Sequence, residues 1–261
     1  MKNLSKLSLF LFIISLMSLK STAQAIDIKA RESYFVKLYD RANSLSMEQQ
    51  ELQDSLYGKF SDEFMGFIKK NPLSIDYPFK GLSTLINIKT SDDNNFRIYS
   101  WDIGGGGTMH YFSQIFQFKS GGRVFTFTPK LEEGDPGEYC SKIIHLKTSQ
   151  KNYYLPITNQ IGSSKDLAQS ISCYTIEGNS LSDSTRIFKT KTRFIKRIDV
   201  GYDFFKAEGH SERPIEVIKY DPKEMNLYIA IVNKDYALTK NYFVYKFNGK
   251  YFEYMSKELK K

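Results

Sequence analysis

Residues 101–110 read WDIGGGGTMH. Four consecutive glycines, Gly104, Gly105, Gly106 and Gly107, lie between an acid, Asp102, and an imidazole, His110. Such a stretch suits three chemistries. Glycine amides cradle phosphates. An Asp–His pair moves protons. Bare backbone lets a ligand or a neighbouring segment come close. The phosphate reading fails on spacing. A P-loop ends in Gly-Lys-Ser/Thr, whereas Gly107 is followed by Thr108 and Met109. The dinucleotide fingerprint needs its last glycine where Met109 or His110 stands. Both motifs also need a helix after the loop, and the stretch that follows, HYFSQIFQF, is strand-like in its aromatic content. The run is therefore read as a connector between two strands, with more glycine than a two-residue turn requires. A ligand site here would consist of Asp102, the amides of Gly104 to Gly107, and His110. Asp102 and His110 would form the Asp–His pair, with Thr108 beside them as a weak nucleophile.

Other chemistry is sparse. The histidines, His110, His145 and His210, are far apart, and neither His-Glu-x-x-His nor Cys-x-x-Cys occurs. No metal site and no cofactor is expected. Asp92-Asp93-Asn94-Asn95 begins like a calcium loop but lacks the sixth-position glycine and the closing glutamate, so it reads as a turn. No Gly-x-Ser-x-Gly nucleophile elbow is present. Residues 186–197, RIFKTKTRFIKR, hold six basic side chains in twelve. On a strand, Lys189, Lys191 and Arg193 would share an exposed face, suited to an anionic glycan or lipid surface. Cys140 and Cys173 are an even pair, and a disulfide between them is one expectation; two buried thiols are the other.

The elements that must position these residues begin after a leader. Lys2 and Lys6 precede the 13-residue apolar run LSLFLFIISLMSL, and small residues Ala23 and Ala25 follow. This is the pattern of a secretory signal peptide over 1–25, cut after Ala25 or Ala23. The run is too short to span a membrane, which takes about 20 residues. A periplasmic or secreted, non-transmembrane protein is expected. Without Lys2, Lys6 and Lys20, 34 basic residues face 29 acidic ones, a net charge of +5. That is too mild, in an exported chain, to imply nucleic acid.

Residues 26–72 read as a helical segment. Ile28, Phe35, Leu38 and Ala42 keep a helical period, and Leu52, Leu56, Phe60, Phe64 and Ile68 recur every fourth residue. Ser46 and Gln49 have capping-box spacing, and Lys69, Lys70 and Pro72 mark the stop. Residues 84–255 read as an antiparallel β-domain: about a dozen short aromatic and β-branched runs separated by turn signals, of which Asn248-Gly249 is the strongest. The expected fold is mainly β with two N-terminal helices, its large antiparallel sheet forming a sandwich or curling. The alternative is a propeller-like set of four-stranded units starting near residues 85, 139 and 193. By elimination the chain reads as an exported binding or structural module. The alternative is a hydrolase of envelope or dietary polymers.

Overall fold

The computed structural model describes residues 27–104, 107–149, 151–207 and 214–259. The leader read over 1–25 lies outside them. Helix α1 (27–43) buries Ile28, Phe35, Leu38, Tyr39 and Ala42 along one stripe. Helix α2 (Gln50–Lys70) buries Leu56, Phe60, Phe64 and Ile68, with Tyr57, Ser61 and Phe67 widening the stripe. Leu52 is 42% exposed, so the stripe engages the core only from Leu56. The expected capping box does not form. Ser46 precedes a single 3-10 turn, Met47–Gln49, and its side chain caps nothing. The Gln49 N–H instead bonds to the Ser46 carbonyl at 2.9 Å, so Gln49 is spent on the tighter turn.

The strands form three stacked sheets. β1 (Asn87–Thr90), β2 (Phe96–Asp102), β3 (Phe112–Ser120) and β4 (Arg123–Phe127) make the first, in chain order. β5 (Tyr139–Lys147), β6 (Asn152–Ile161) and β7 (Asp166–Ser172) begin the central sheet. A small hairpin, β8 (Thr175–Glu177) with β9 (Ser180–Ser182), and two-residue strands β10 (Phe188–Lys189) and β11 (Phe194–Ile195) follow. β12 (Arg197–Asp203) then returns to the edge of the central sheet beside β7. β13 (Ile218–Asp221), β14 (Asn226–Val232), β15 (Leu238–Phe247) and β16 (Phe252–Leu259) build the large sheet, with β10 and β11 added beyond β16. Every strand pairing described is antiparallel except the two-residue match of β10 with β16. One sheet curls into a half-barrel.

Side-chain alternation explains the stacking. β2 buries six residues in succession, Phe96 to Trp101, because both of its faces are covered. Tyr99 and Trp101, with Ile115 of β3, pack under α1 and α2. Phe96 and Ile98, with Phe116 and Phe118, pack against Cys140, Ile143 and Tyr154 of the central sheet. The opposite face of that sheet, including Leu155, Ile157, Leu167 and Ile171, meets Leu227, Ile229 and Phe247 of the large sheet. The layers therefore run helices, first sheet, central sheet, large sheet. The propeller-like alternative is corrected: the sheets lie face to face over shared cores, and β12 leaves the third group of strands to complete the second.

The disulfide is also corrected. Cys140 on β5 belongs to the core toward the first sheet, and Cys173, just after β7, to the core toward the large sheet. β6 runs between their strands. Two strand spacings are about 10 Å, beyond the roughly 7 Å that a disulfide bridges between Cα atoms. Both cysteines are free and buried. No helix among the described residues is long and apolar enough to cross a membrane.

Candidate functional site

The glycine connector sits at one end of the stack, where β2 hands over to β3. The Ile103 N–H bonds to the Tyr111 carbonyl at 2.8 Å and closes the loop at its base. The His110 N–H bonds to the Ile161 carbonyl at 3.1 Å, tying the loop to the end of β6 in the central sheet. Gly104 and Gly107 hold φ of +74° and +63°, left-handed angles that glycine adopts without a Cβ penalty. Gly104 has a second reason to lack a side chain. A Cβ there would lie 2.8 Å from the Tyr57 ring of α2. Gly105 and Gly106 lie outside the described residues.

The structure brings Asp102, Gly104 and His110 together. Asp102 Oδ1 accepts the Gly104 N–H at 2.8 Å, and Oδ2 lies 2.5 Å from His110 Nδ1. The Tyr39 hydroxyl of α1 donates to the Asp102 carbonyl at 2.9 Å. A carboxylate facing Nδ1 keeps a proton on that nitrogen, and in the neutral ring this tautomer leaves Nε2 as an acceptor. The His110 ring lies nearly parallel to Phe112, its centroid 6.2 Å away.

Beside this pair lies a cavity of about 300 Å³. The connector supplies Thr108 and His110 to its wall. The β6–β7 hairpin supplies Ile161, Ser164 and Leu167, the start of β5 supplies Tyr139, and Pro214 completes the lining. Burial, with Tyr202 nearby, pushes the Tyr139 phenol up to about 12, so it stays neutral at physiological pH. Among the described lining residues none carries a fixed charge. The wall can donate and accept hydrogen bonds around an apolar middle, the usual character of a small-molecule site. The sequence singled out Asp102, His110 and the glycines; it missed Tyr139, Ile161, Ser164, Leu167 and Pro214. Three separate segments contribute these five, and no local spacing signals their convergence.

The basic stretch folds differently from its reading as a single strand face. β10 and β11 form a hairpin whose turn holds Lys191 and Arg193, with the Thr190 N–H bonded to the Arg193 carbonyl. Lys191 and Arg193 therefore do not line up with Lys189 on one strand. Lys189 pairs with Glu253 at 2.7 Å and Lys196 with Asp183 at 2.8 Å. Arg197 pairs with Glu138 and Asp199. Lys191 lies over the Tyr254 ring at 5.1 Å. Half of the six basic charges thus have acidic partners, which dilutes any anionic attraction.

Asp92 to Asn95 form the β1–β2 turn, with Asn94 at φ +56° and its N–H on the Ser91 carbonyl. Asp93 is held inside this turn. It accepts from the Ser91 hydroxyl at 2.6 Å, the Asn95 N–H at 3.1 Å, the Asn95 amide at 3.0 Å and the Tyr154 hydroxyl at 2.9 Å. His145 Nε2 lies 3.4 Å from the same carboxylate, and its ring stacks on Tyr154. No family model matches the chain, and no curated protein matches its sequence.

Proposed function

We propose that this is an exported binding module that takes a small, uncharged, largely apolar ligand in the cavity beside His110. The observation that carries the reading is the fixed orientation of that histidine. Its Nδ1 is committed to Asp102, which is itself anchored by the Gly104 amide, so Nε2 is the ring atom left for a ligand. A pre-positioned imidazole in a largely apolar wall gives orientation at little entropic cost. Binding is favoured over hydrolysis because, among the described residues, the cavity wall holds no carboxylate and no hydroxyl hydrogen-bonded to His110. The export half of the reading rests on the leader pattern of residues 1–25.

The test is a fragment screen on the mature chain, followed by NMR. Saturable shifts should cluster at His110, Ile161 and Leu167. Ser164→Trp, which places a bulky ring at an exposed position of the cavity wall, should abolish binding without unfolding the protein. Shifts that cluster elsewhere, or affinity untouched by Ser164→Trp, would sink the reading. N-terminal sequencing of the exported protein should begin at Ile26 or Gln24.

A further inference from the structure

The first sheet ends in an open edge. β4 is its last strand, and among the described residues no strand pairs with its outer side. The β3–β4 turn tells which groups face that side. Gly121 and Gly122 hold φ of +54° and +72°, as in the type I′ turn of a two-residue hairpin. The pair that closes such a hairpin, here Ser120 with Arg123, is hydrogen-bonded, and bonded and non-bonded pairs alternate from there. Arg123, Phe125 and Phe127 therefore turn their backbone groups toward β3. The parity of β3 agrees: the Lys119 N–H goes to Asn95, on the β2 side, and the Phe112 N–H to Pro136, away from β2. Val124 and Thr126 turn outward, each with an N–H and a carbonyl that no described residue meets.

Sheet edges are normally blunted by charge. Of the other edges of the three stacked sheets, β1 carries Lys89, β5 Lys142 and Lys147, β12 Arg197 and Asp199, and β13 Lys219 and Asp221. β11 is only two residues long. β4 holds an uncharged run, Val124-Phe125-Thr126-Phe127, behind Arg123. Apolar surface borders it. Phe127, Leu73 and Leu131 are 40–49% exposed. Leu73 belongs to the 3-10 turn Pro72–Ile75, which lies beside β4, and Leu131 follows the strand. An edge that is uncharged, apolar at its margins and rich in unmet backbone groups is a template for another strand.

We propose that this template is covered by β4 of a second copy of the chain, the two strands running antiparallel about a twofold axis at Phe125. In that register Val124 stands opposite the partner's Thr126, and Thr126 opposite the partner's Val124. Both are bonded pairs, so every outward N–H and carbonyl of the two residues finds a mate. Phe125 meets the partner's Phe125 at the axis, and Arg123 comes opposite the partner's Phe127, a cation facing a ring. Charge selects the antiparallel sense. Arg123 opens the strand, whereas Glu132 and Glu133 follow it, with Lys130 offsetting one of them. Antiparallel pairing sets each basic start beside the partner's acidic exit; parallel pairing would set like beside like. A twofold contact is closed, so assembly stops at the dimer, with the two first sheets joined into one.

Light scattering on the full mature chain, across a micromolar concentration series, should reach twice the mass of one chain. A single-chain mass throughout overturns the proposal. Thr126→Pro removes an outward N–H, a change that edge strands tolerate, so the variant should stay folded and run as a monomer. A dimer that survives the substitution overturns the pairing. Should that variant not fold, thiol trapping decides. In a non-bonded antiparallel pair the Cα atoms are about 4.5 Å apart, within reach of a disulfide. Under air oxidation Phe125→Cys should give a covalent dimer. Val124→Cys, opposite the partner's Thr126, should not. Cys140 and Cys173 are buried and do not compete. No covalent dimer from Phe125→Cys, or equal yields from the two variants, overturns the axis at Phe125.

Discussion

At the scale of single residues, the described part of the molecule uses its polar side chains chiefly to fasten segments together. Glu32 of α1 takes the N–H groups of Gly81 and Leu82 and the Tyr77 hydroxyl. Arg97 of β2 gives to the carbonyls of Ser74 and Tyr77. Asp93 does the same for the β1–β2 turn and the central sheet. Burial works against its charge, but the bonds from Ser91, Asn95 and Tyr154 outweigh burial and hold the carboxyl below its usual value. The sign of the pH effect follows. A carboxyl that is more acidic folded than unfolded adds stability above the unfolded value, about 3.9, and loses it as pH falls through the folded one. Urea midpoints should therefore be level above about pH 5 and decline below about pH 4. Asp93→Asn should cost about 1–3 kcal/mol at neutral pH and flatten part of that acid decline. An acid slope identical in the two proteins would remove Asp93 from this role.

At the scale of elements, the glycine connector shows why one residue type recurs for unlike reasons. Gly104 is left-handed and lies against the Tyr57 ring, whereas Gly107 is left-handed in open space. Gly107→Ala should cost about 1 kcal/mol, the penalty of a Cβ at positive φ. Gly104→Ala should cost about 2–4 kcal/mol, since the ring must also shift. Denaturant unfolding of the two variants measures the difference, and equal losses would show that Tyr57 yields freely. The run was legible as a connector because glycine chemistry is local. The close approach of α2 was not, because Tyr57 lies far from it along the chain and only packing brings them together.

At the scale of the whole molecule, the sheets and helices stack as four layers with separate cores between them. The two thiols fall in different cores. Both are buried, and burial pushes each up to about 12, so neither is a thiolate at neutral pH. A thiol reagent at pH 7–8 should find none in the native protein and two after denaturation. Adding reductant should leave the melting temperature unchanged. One native disulfide, seen as no reactive thiols even after denaturation, would contradict the layering of Cys140 and Cys173.

The sequence by itself determined the two helices, most of the strands and their turns. Those features arise from periodicity and turn chemistry within a few residues, as the every-fourth-residue stripe of α2 and the alternation of β3 show. It also singled out Asp102 and His110 as a pair, because a short loop brings them within reach. Only the tertiary structure decided the rest. β12 crosses to the central sheet, the basic stretch turns back on itself, and the cysteines face opposite cores. The cavity, too, exists only where the β2–β3 connector, the β6–β7 hairpin, the start of β5 and Pro214 meet. Contacts between distant segments are set by which faces can be buried together, and the spacing of residues along one strand carries no record of that choice.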